Sequence, residues 1–199
     1  MAIGKQAKVL TDKQQHLILT HLDNSRYPLR NKIIVLLSFK AGLRAKEIAN
    51  LTWEMVCDSA GNIGNSLNLT NKACKGQHSG RIIPMHTELK HFLSLYLNEA
   101  KEKTYFDLEK NVIGSERNNH VSAQMIVNFF QNLYKTIGFS GCSSHSGRRT
   151  FITNAAKIIG QAGGTLNDVK LLAGHSSLNT TQRYIEYNTE AQKRIIEKI

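Results

Sequence analysis

Several features that mark membrane, secreted or disulfide-stabilised proteins are missing from this sequence of 199 residues. No apolar run approaches the about 18 residues of a membrane-spanning helix, and the N-terminus lacks the apolar core of a signal peptide. The three cysteines are an odd number without the spacing of a disulfide framework, which suits a reducing compartment. We therefore expect a soluble, cytoplasmic protein that makes no contact with a membrane.

Motifs for two common routes of phosphate chemistry are also missing. The sequence has no Gly-x-x-x-x-Gly-Lys-Ser/Thr loop to bind a nucleotide and no clustered carboxylates to hold two metal ions. Cys142 and His145 have the spacing of half a zinc site, but no second ligand pair stands nearby at zinc-like spacing. We expect neither a metal nor an organic cofactor.

Acidic residues are few in comparison with basic ones. The chain has 26 lysines and arginines against 15 aspartates and glutamates, which gives a formal net charge of +11. This balance favours a polyanionic partner, although a basic surface that faces only solvent gives the same count. Apolar residues make up 41% of the chain, and its length is enough for one well-buried domain with at most a short arm.

Hydrophobic periodicity separates the chain into helices and one short β-rich section. Residues 53–56, 67–70 and 81–83 alternate or are rich in β-formers, and glycines separate them. Apolar residues recur at helical spacing on both sides of this section. The pattern predicts a mainly α fold with a small three-stranded antiparallel β-sheet (α+β). Predicted helix starts are Thr11, Pro28, Thr87 and Ser122.

The last third of the chain carries the densest set of chemically active side chains. His145 and Arg148 are three residues apart, so a helix places them on one face. His175 follows an apolar run, where a helix would end and expose a polar side chain. Tyr184 comes nine residues later. Two imidazoles, a guanidinium and a phenol are groups that can bind a phosphate and attack it.

The order and spacing of these residues resemble the second half of the active site of the tyrosine recombinases, the phage integrase family. The first half has counterparts upstream. Residues 41–48 resemble the first-arginine box of the family, with Arg44 followed three positions later by Glu47. Residues 75–84 resemble the β-hairpin whose lysine, here Lys75, enters the site and precedes an Arg-x-x-Pro sequence.

The resemblance covers nearly the whole chain and divides it into three parts. Residues 10–187 would form a recombinase catalytic domain, and residues 1–9 a tail or interdomain linker before it. Residues 188–199 would form a C-terminal helix that can dock on a partner. Full-length members carry a further helical DNA-binding domain before the catalytic one, so we expect either an excised catalytic domain or a short, single-domain member.

The resemblance implies a role for each matching side chain in cutting a DNA phosphodiester. The arginines bind the non-bridging oxygens, and the tyrosine attacks phosphorus to form a 3′-phosphotyrosine bond. The first histidine is the base, the lysine protonates the leaving 5′ oxygen, and the second histidine donates a hydrogen bond to the phosphate. A free phenol has a pKa of about 10, so the tyrosine needs a base or a positive field. The implied catalytic set is Arg44, Lys75, His145, Arg148, His175 and Tyr184, with Glu47 supporting it by orienting Arg44 or His145.

Three of these assignments have a competing residue nearby. Lys72 is the alternative general acid to Lys75, because the loop that follows Lys75 is longer than usual for the family. Tyr187 is the alternative nucleophile to Tyr184. Arg149 directly follows the matching arginine and is interpreted as a structural residue or a contact to the DNA backbone.

The function implied by the resemblance is that of a site-specific DNA recombinase of integrase type. Its expected partners are double-stranded DNA, further copies of itself in a DNA-induced oligomer (a tetramer in the synaptic complex) and accessory DNA-bending proteins, in association with the nucleoid. One alternative is a type IB topoisomerase, although those enzymes usually carry lysine where His145 stands. The other is a non-catalytic DNA-binding protein that has kept the fold.

Overall fold

Helices make up most of the structure, a computed structural model that describes residues 6–74, 80–102, 106–115, 120–184 and 196–197. Two short 3-10 turns, Leu22–Asn24 and Trp53–Met55, join helices to the rest of the chain. Among the described residues the α-helices are α1 (Asp12–His21), α2 (Pro28–Lys40), α3 (Ala45–Ala49), α4 (Thr87–Lys101), α5 (Ala123–Thr136), α6 (Ser146–Ile158), α7 (Leu166–Ala173) and α8 (Leu178–Gln182).

The helix starts confirm the signals read from the sequence. At α1 the Thr11 hydroxyl accepts the Gln14 N–H, and the Gln14 side chain accepts the Thr11 N–H in return, which completes a capping box. Pro28 occupies the first turn of α2, where its missing N–H costs nothing. The Ser122 hydroxyl accepts the N–H of Met125 at 3.1 Å and begins α5.

Helix α2 runs through the centre of the domain and packs against both α4 and α6. Its middle, residues 33–37, is entirely buried. Each such Leu or Ile side chain contributes about 1.5–3 kcal/mol of hydrophobic stabilisation. Helix α6 can approach so closely because Gly147 has no side chain at the crossing, where a Cβ would meet Ser38 and Phe39 of α2. The first turn of α6 is thereby fixed against the core.

The β-sheet has two strands in the described part of the chain, where the sequence predicted three. Strand β1 (Ser66–Leu69) pairs antiparallel with β2 (Arg81–Pro84), and Leu67 lies opposite Ile83. Both of these side chains are buried. Strand β2 in turn packs against α7, which brings the sheet to the end of that helix.

The predicted strand at residues 53–56 is wrong, because this segment turns instead of extending. Trp53–Met55 is a 3-10 turn, and its first N–H groups donate to the carbonyls of Lys110 and Leu108. The Trp53 ring lies 5.7 Å from the ring of Tyr96, centroid to centroid. The alternation of apolar residues therefore reflects burial of a turn against distant segments.

The N-terminal residues of the described chain contact α6 and the segment that precedes it. Leu10 is buried, and its N–H donates to the Thr150 hydroxyl at 2.8 Å. The N–H of Lys8 donates to the carbonyl of Gly141 at 3.3 Å. The segment at residues 8–10 is thus attached to the helix that begins at the predicted His-x-x-Arg pair.

None of the helices in the described ranges is long and apolar enough to cross a membrane.

Candidate active site

Two left-handed glycines bring separate parts of the chain to one place. Gly42, with φ of 63°, ends α2 and turns the chain into Arg44, the residue that begins α3. Gly174, with φ of 61°, ends α7 and turns the chain into His175. Glycine adopts this conformation without the steric cost that a Cβ brings. The Arg44 guanidinium donates to the Gly174 carbonyl at 3.3 Å, so the two turns face each other.

Glu47 is the acidic centre of the site and is only 1% exposed. One carboxylate oxygen accepts the Arg44 backbone N–H at 2.8 Å, and the other accepts the Arg44 guanidinium at 2.9 Å. Arg81 donates to the same two oxygens at 2.9 and 3.1 Å. Burial by itself would raise the pKa of Glu47, but these hydrogen bonds and positive charges outweigh it and lower the pKa to about 2. Glu47 is therefore a carboxylate at neutral pH, and it contacts the guanidiniums of Arg44 and Arg81.

Arg81 is a residue of this site whose role the sequence analysis missed. It entered only as part of the Arg-x-x-Pro sequence, but its guanidinium is buried against Glu47 and also donates to the Leu172 carbonyl at 2.9 Å. A Cβ at Gly174 would lie 2.7 Å from its Nη1 atom. Period-two alternation in β2 places Arg81 on the same face as the buried Ile83, and that was the available signal.

Arg148 lies in the first turn of α6 and is only 4% exposed. Its guanidinium donates to the carbonyl of Gly42 and to the carbonyl of Ala173, both at 2.6 Å. Burial, and secondarily the positive charge of Arg44, lowers its pKa to about 10, so it stays cationic at neutral pH. Because Ala173 directly precedes Gly174, the guanidiniums of Arg44 and Arg148 contact adjacent carbonyls at the end of α7.

His175 and Tyr184 complete the group at this end of α7. Their rings stack, with centroids 5.5 Å apart and planes inclined by 27°. His175 is 9% exposed, and its Nδ1 lies 2.9 Å from the hydroxyl oxygen of Thr181. Burial and the charges of the nearby arginines lower the pKa of His175 to about 4, so the ring is neutral at pH 7.

Tyr184 packs on a small apolar cluster of Ile152, Val169 and Ala173, and its backbone carbonyl lies 3.4 Å from the Thr153 hydroxyl. The guanidinium carbon of Arg149 lies 5.9 Å from the centre of its ring, so this arginine contacts the predicted nucleophile from α6.

The remaining predicted residues lie at the edge of the described site or outside it. His145 is exposed at the N-terminal cap of α6, with its backbone N–H donating to the Ser143 hydroxyl at 3.3 Å. Lys72 is exposed in the turn that follows β1. Lys75 and Tyr187, together with most of the segment at residues 188–199, lie outside the described residues.

The three cysteines of the chain all lie in the described ranges, and none of them forms a disulfide. Cys142, one half of the weak zinc pattern, is a free thiol, and so are Cys57 and Cys74. Burial raises the pKa of Cys74, which favours its protonated form. In the part of the chain that the structure describes, no group of three or more His, Cys, Asp or Glu side chains is arranged to hold a metal ion.

The sequence of this chain is similar to those of known proteins along nearly its whole length. Residues 8–191 match the model of the phage integrase family. Tyrosine recombinase XerA of Pyrococcus horikoshii is 29% identical over 192 residues, which cover 96% of this chain and 61% of that protein. Tyrosine recombinase XerC of Chlamydia pneumoniae is 26% identical over 187 residues, 93% of this chain and 56% of that protein. The chain thus spans about three fifths of the length of these relatives.

Solved structures of recombinases share the fold. The crystal structure of XerA recombinase superposes with a TM-score of 0.72 at 22% identity, covering 97% of this chain and 65% of that one. The Tn1549 transposon integrase in complex with transposon right end DNA gives a TM-score of 0.72 at 19% identity, with 98% and 66% covered. At these identities the likeness concerns the fold. The family match over residues 8–191, together with the Arg44, Arg148, His175 and Tyr184 cluster, leads to one conclusion: the chain belongs to the phage integrase family of tyrosine recombinases.

Proposed function

We propose that this chain is the strand-cleaving and strand-joining part of a site-specific DNA recombinase of integrase type. It attacks one strand of double-stranded DNA, holds the cut end as a 3′-phosphotyrosine and passes that end to a new 5′ hydroxyl. One observation carries the proposal. Two guanidiniums, a neutral imidazole and a phenol, which belong to four separate segments of the chain, lie together at the end of α7.

Arg44 and Arg148 are the proposed ligands of the scissile phosphate. Their guanidiniums already contact the adjacent carbonyls of Gly174 and Ala173, so a single phosphate can reach both. Arg148 remains cationic at neutral pH, and the planar guanidinium fork suits two non-bridging oxygens. Fixed donors of this kind stabilise the additional negative charge of the transition state.

Tyr184 is the proposed nucleophile. A new bond forms between its phenolic oxygen and phosphorus while the bond from phosphorus to the 5′ oxygen breaks. The phenolic proton passes to His145, and Lys75 (with Lys72 as the alternative) protonates the 5′ oxygen that leaves. The reverse sequence joins the strand, so the bond energy is retained in the phosphotyrosine and no nucleotide is consumed.

His175 serves the reaction as a neutral donor of a hydrogen bond to the phosphate. With its pKa lowered to about 4, the ring keeps its one N–H at neutral pH and does not take up a second proton, so the role of base is given to the exposed His145. Glu47 orients Arg44 by binding both its backbone N–H and its guanidinium.

The domain division and the partners belong to the same proposal. Residues 10–187 form the catalytic domain, residues 1–9 the linker that leads into it, and residues 188–199 the segment that docks on a neighbouring protomer. The contacts of Lys8 with Gly141 and of Leu10 with Thr150 of α6 support a linker that is fixed to the catalytic domain. Solved relatives of the same fold contain bound DNA, which supports double-stranded DNA as the substrate on which protomers assemble. A chain of this kind acts in the cytoplasm on nucleoid DNA.

The nucleophile can be tested without knowing the target sequence. The purified chain is incubated with a pool of nicked duplexes that carry a randomised core, so that a cleaved strand cannot be rejoined and stays covalently attached. We expect a covalent adduct from the unaltered chain and from Tyr187→Phe, and none from Tyr184→Phe. Because the altered ring keeps its shape and its stacking on His175, DNA binding by Tyr184→Phe should stay within about twofold of the unaltered chain.

Other outcomes would identify the alternative nucleophile or one of the two alternative functions. An adduct in Tyr184→Phe that disappears in Tyr187→Phe assigns the nucleophile to Tyr187. DNA binding without any adduct from the unaltered chain points to a non-catalytic DNA-binding protein. Relaxation of supercoiled plasmid without selection of any core sequence points to a topoisomerase.

A further inference from the structure

Thr181 connects the two rings of the candidate site. Its side-chain oxygen lies 2.9 Å from Nδ1 of His175, and its backbone carbonyl accepts the N–H of Tyr184 at 3.0 Å. Helix α8, in which it lies, bridges the turn at Gly174 and the tyrosine. The sequence analysis assigned no role to this residue.

The burial of Thr181 decides the direction of its hydrogen bond to His175. The residue is 0% exposed, and the contact to Nδ1 is the one hydrogen bond that its hydroxyl makes among the described residues. If Nδ1 carried the proton, the hydroxyl would accept it and its own O–H would be left in the interior without an acceptor. If the hydroxyl donates to Nδ1, its proton has a partner, and the ring proton lies on Nε2, which is not among the buried side-chain atoms of the described residues that lack a partner. Buried donors without a partner are rare and costly, so the second arrangement holds.

We propose that Thr181 is a positioning residue that fixes His175 in the tautomer with the proton on Nε2. Nδ1 is occupied by the threonine hydroxyl, and Nε2 is the ring nitrogen left to contact substrate. With its proton there, the neutral imidazole donates to an anionic phosphate oxygen. In the other tautomer Nε2 would present a lone pair to the phosphate and repel it. This inference rests on the proposed function for its consequence in catalysis, but the tautomer itself can be measured in the free protein.

The surroundings of His175 explain why the tautomer needs a dedicated residue. Three guanidiniums act on the ring, those of Arg44 at the N-cap of α3, Arg81 in β2 and Arg148 in α6. Positive charges on these elements disfavour a second proton on the imidazole, so a doubly protonated ring is not the form that donates. The neutral ring then carries one proton and one lone pair, and a neighbouring group has to fix which nitrogen bears the proton. The hydroxyl that donates to Nδ1 keeps the lone pair on that nitrogen and the proton on Nε2.

The first test measures the tautomer directly. The chain is labelled with ¹⁵N at its eight histidines, and correlations between ring nitrogens and ring protons are recorded near neutral pH, with His175→Gln to assign the signals. Pyrrole-type and pyridine-type nitrogens have distinct chemical shifts. We expect Nε2 to be protonated in the unaltered chain and in Thr181→Ser, and we expect a mixture of tautomers in Thr181→Val. Proton on Nδ1 in the unaltered chain, or no change in Thr181→Val, would overturn the proposal.

The second test measures cleavage on the pool of nicked duplexes with a randomised core. Thr181→Val, which keeps the shape and loses the hydroxyl, should slow adduct formation by about tenfold, since one hydrogen bond in the transition state is weakened. Thr181→Ser should stay within about threefold of the unaltered chain, and Thr180→Val, a change at the exposed neighbour, should have no effect.

A double variant separates positioning from general damage. If Thr181 acts through the imidazole, Thr181→Val should cost no further rate when His175 is already glutamine. A full additional tenfold loss in that background contradicts the proposal and assigns Thr181 a structural role. If the unaltered chain forms no adduct while its spectrum shows protonated Nε2, the proposed function fails and the tautomer assignment stands.

Discussion

The substitution Glu47→Gln removes the negative charge of a buried carboxylate that lies near the guanidiniums of Arg44, Arg81 and Arg148. Both oxygens of Glu47 accept hydrogen bonds from Arg44 and from Arg81. Glutamine can retain the acceptors on one side, but its amide nitrogen then faces a guanidinium, donor against donor. The substitution therefore removes the charge and part of the hydrogen bonding and leaves the volume nearly unchanged.

The lowered pKa of Glu47 gives the size of the effect. The difference between the ordinary value of 4.5 and about 2 corresponds to about 3 kcal/mol of stabilisation of the carboxylate by the fold. Breaking a buried ion pair from one side typically costs about 3–5 kcal/mol. We expect the free energy of unfolding of Glu47→Gln to be lower by about 3 kcal/mol at neutral pH, and the structural consequences to centre on Arg44 and Arg81.

The effect must depend on pH with a definite sign. The folded pKa of Glu47 lies below the unfolded one, so its contribution is fully present above about pH 4.5 and is lost between there and pH 2. The gap between the unaltered chain and the variant should be constant near neutral pH and shrink as the pH falls through that window. His175, whose folded pKa of about 4 lies below its ordinary 6.5, lowers the stability of both proteins as the pH falls from 6.5 to about 4 and adds a constant penalty below that, so comparing the two proteins at each pH removes most of its effect.

Urea unfolding followed by fluorescence of Trp53, the single tryptophan and a buried one, measures the difference at each pH. Glu99→Gln in α4 is a matched control, since the same change at this exposed acid should cost less than about 0.5 kcal/mol. A loss at Glu47 below about 1 kcal/mol at neutral pH, or a loss of the same size at pH 7 and pH 3, would refute the reasoning from the lowered pKa.

Three further outcomes follow from the same arrangement. Lys75→Ala should slow cleavage strongly on an ordinary substrate and much less on one with a 5′-bridging sulfur, because a thiolate leaves without a proton; a matching rescue at Lys72 instead would move the general acid there. Gly174→Ala should lower the free energy of unfolding by about 2 kcal/mol or more in thermal or urea unfolding, because a Cβ is strained at φ of 61° and meets Arg81. Gly160→Ala is the control, since a Cβ there meets nothing within 4 Å. DNA binding should weaken steeply with salt in a titration of labelled duplex, as expected for a chain of charge +11 that contacts mainly phosphates, and site-selective nanomolar binding that ignores salt would contradict this.

The sequence predicted correctly those features of the fold that are set by contacts between residues close together in the chain. The capping box at Thr11 and the cap at Ser122 lie within one helical turn of the groups that they bind, so the sequence alone determined where these helices begin. Residues 53–56 show the opposite case. Their apolar alternation fits a strand, but the N–H groups of this turn find partners more than fifty residues away, at Leu108 and Lys110. No local pattern carries that information.

The candidate site divides in the same way. Some candidate residues, such as His145 with Arg148 or His175 with Tyr184, could be proposed from the sequence because their spacing along the chain is itself the signal. Arg81 could not be assigned, since its role arises from contacts with Glu47 and Leu172, which are 34 and 91 residues away. Thr181 was missed for a different reason: a threonine in a helix is common, and only its burial and its side-chain contact with His175 indicate a role.

The charges of the described site bear on the proposed reaction. Arg44, Arg81 and Arg148 stand near one carboxylate, Glu47, which leaves an excess of positive charge in a poorly solvated place. The lowered pKa values of Arg148 and His175 express that excess, because each reflects burial and the repulsion of the other cations. A phosphodiester brings one negative charge, and the pentacoordinate transition state brings more. The donors of Arg148 meanwhile rest on the carbonyls of Gly42 and Ala173, so the site is held in place before any substrate arrives. In the proposed reaction, repulsion among the cations would be relieved most when the charge on the phosphate is greatest, so we expect this arrangement to stabilise the transition state more than the bound ground state.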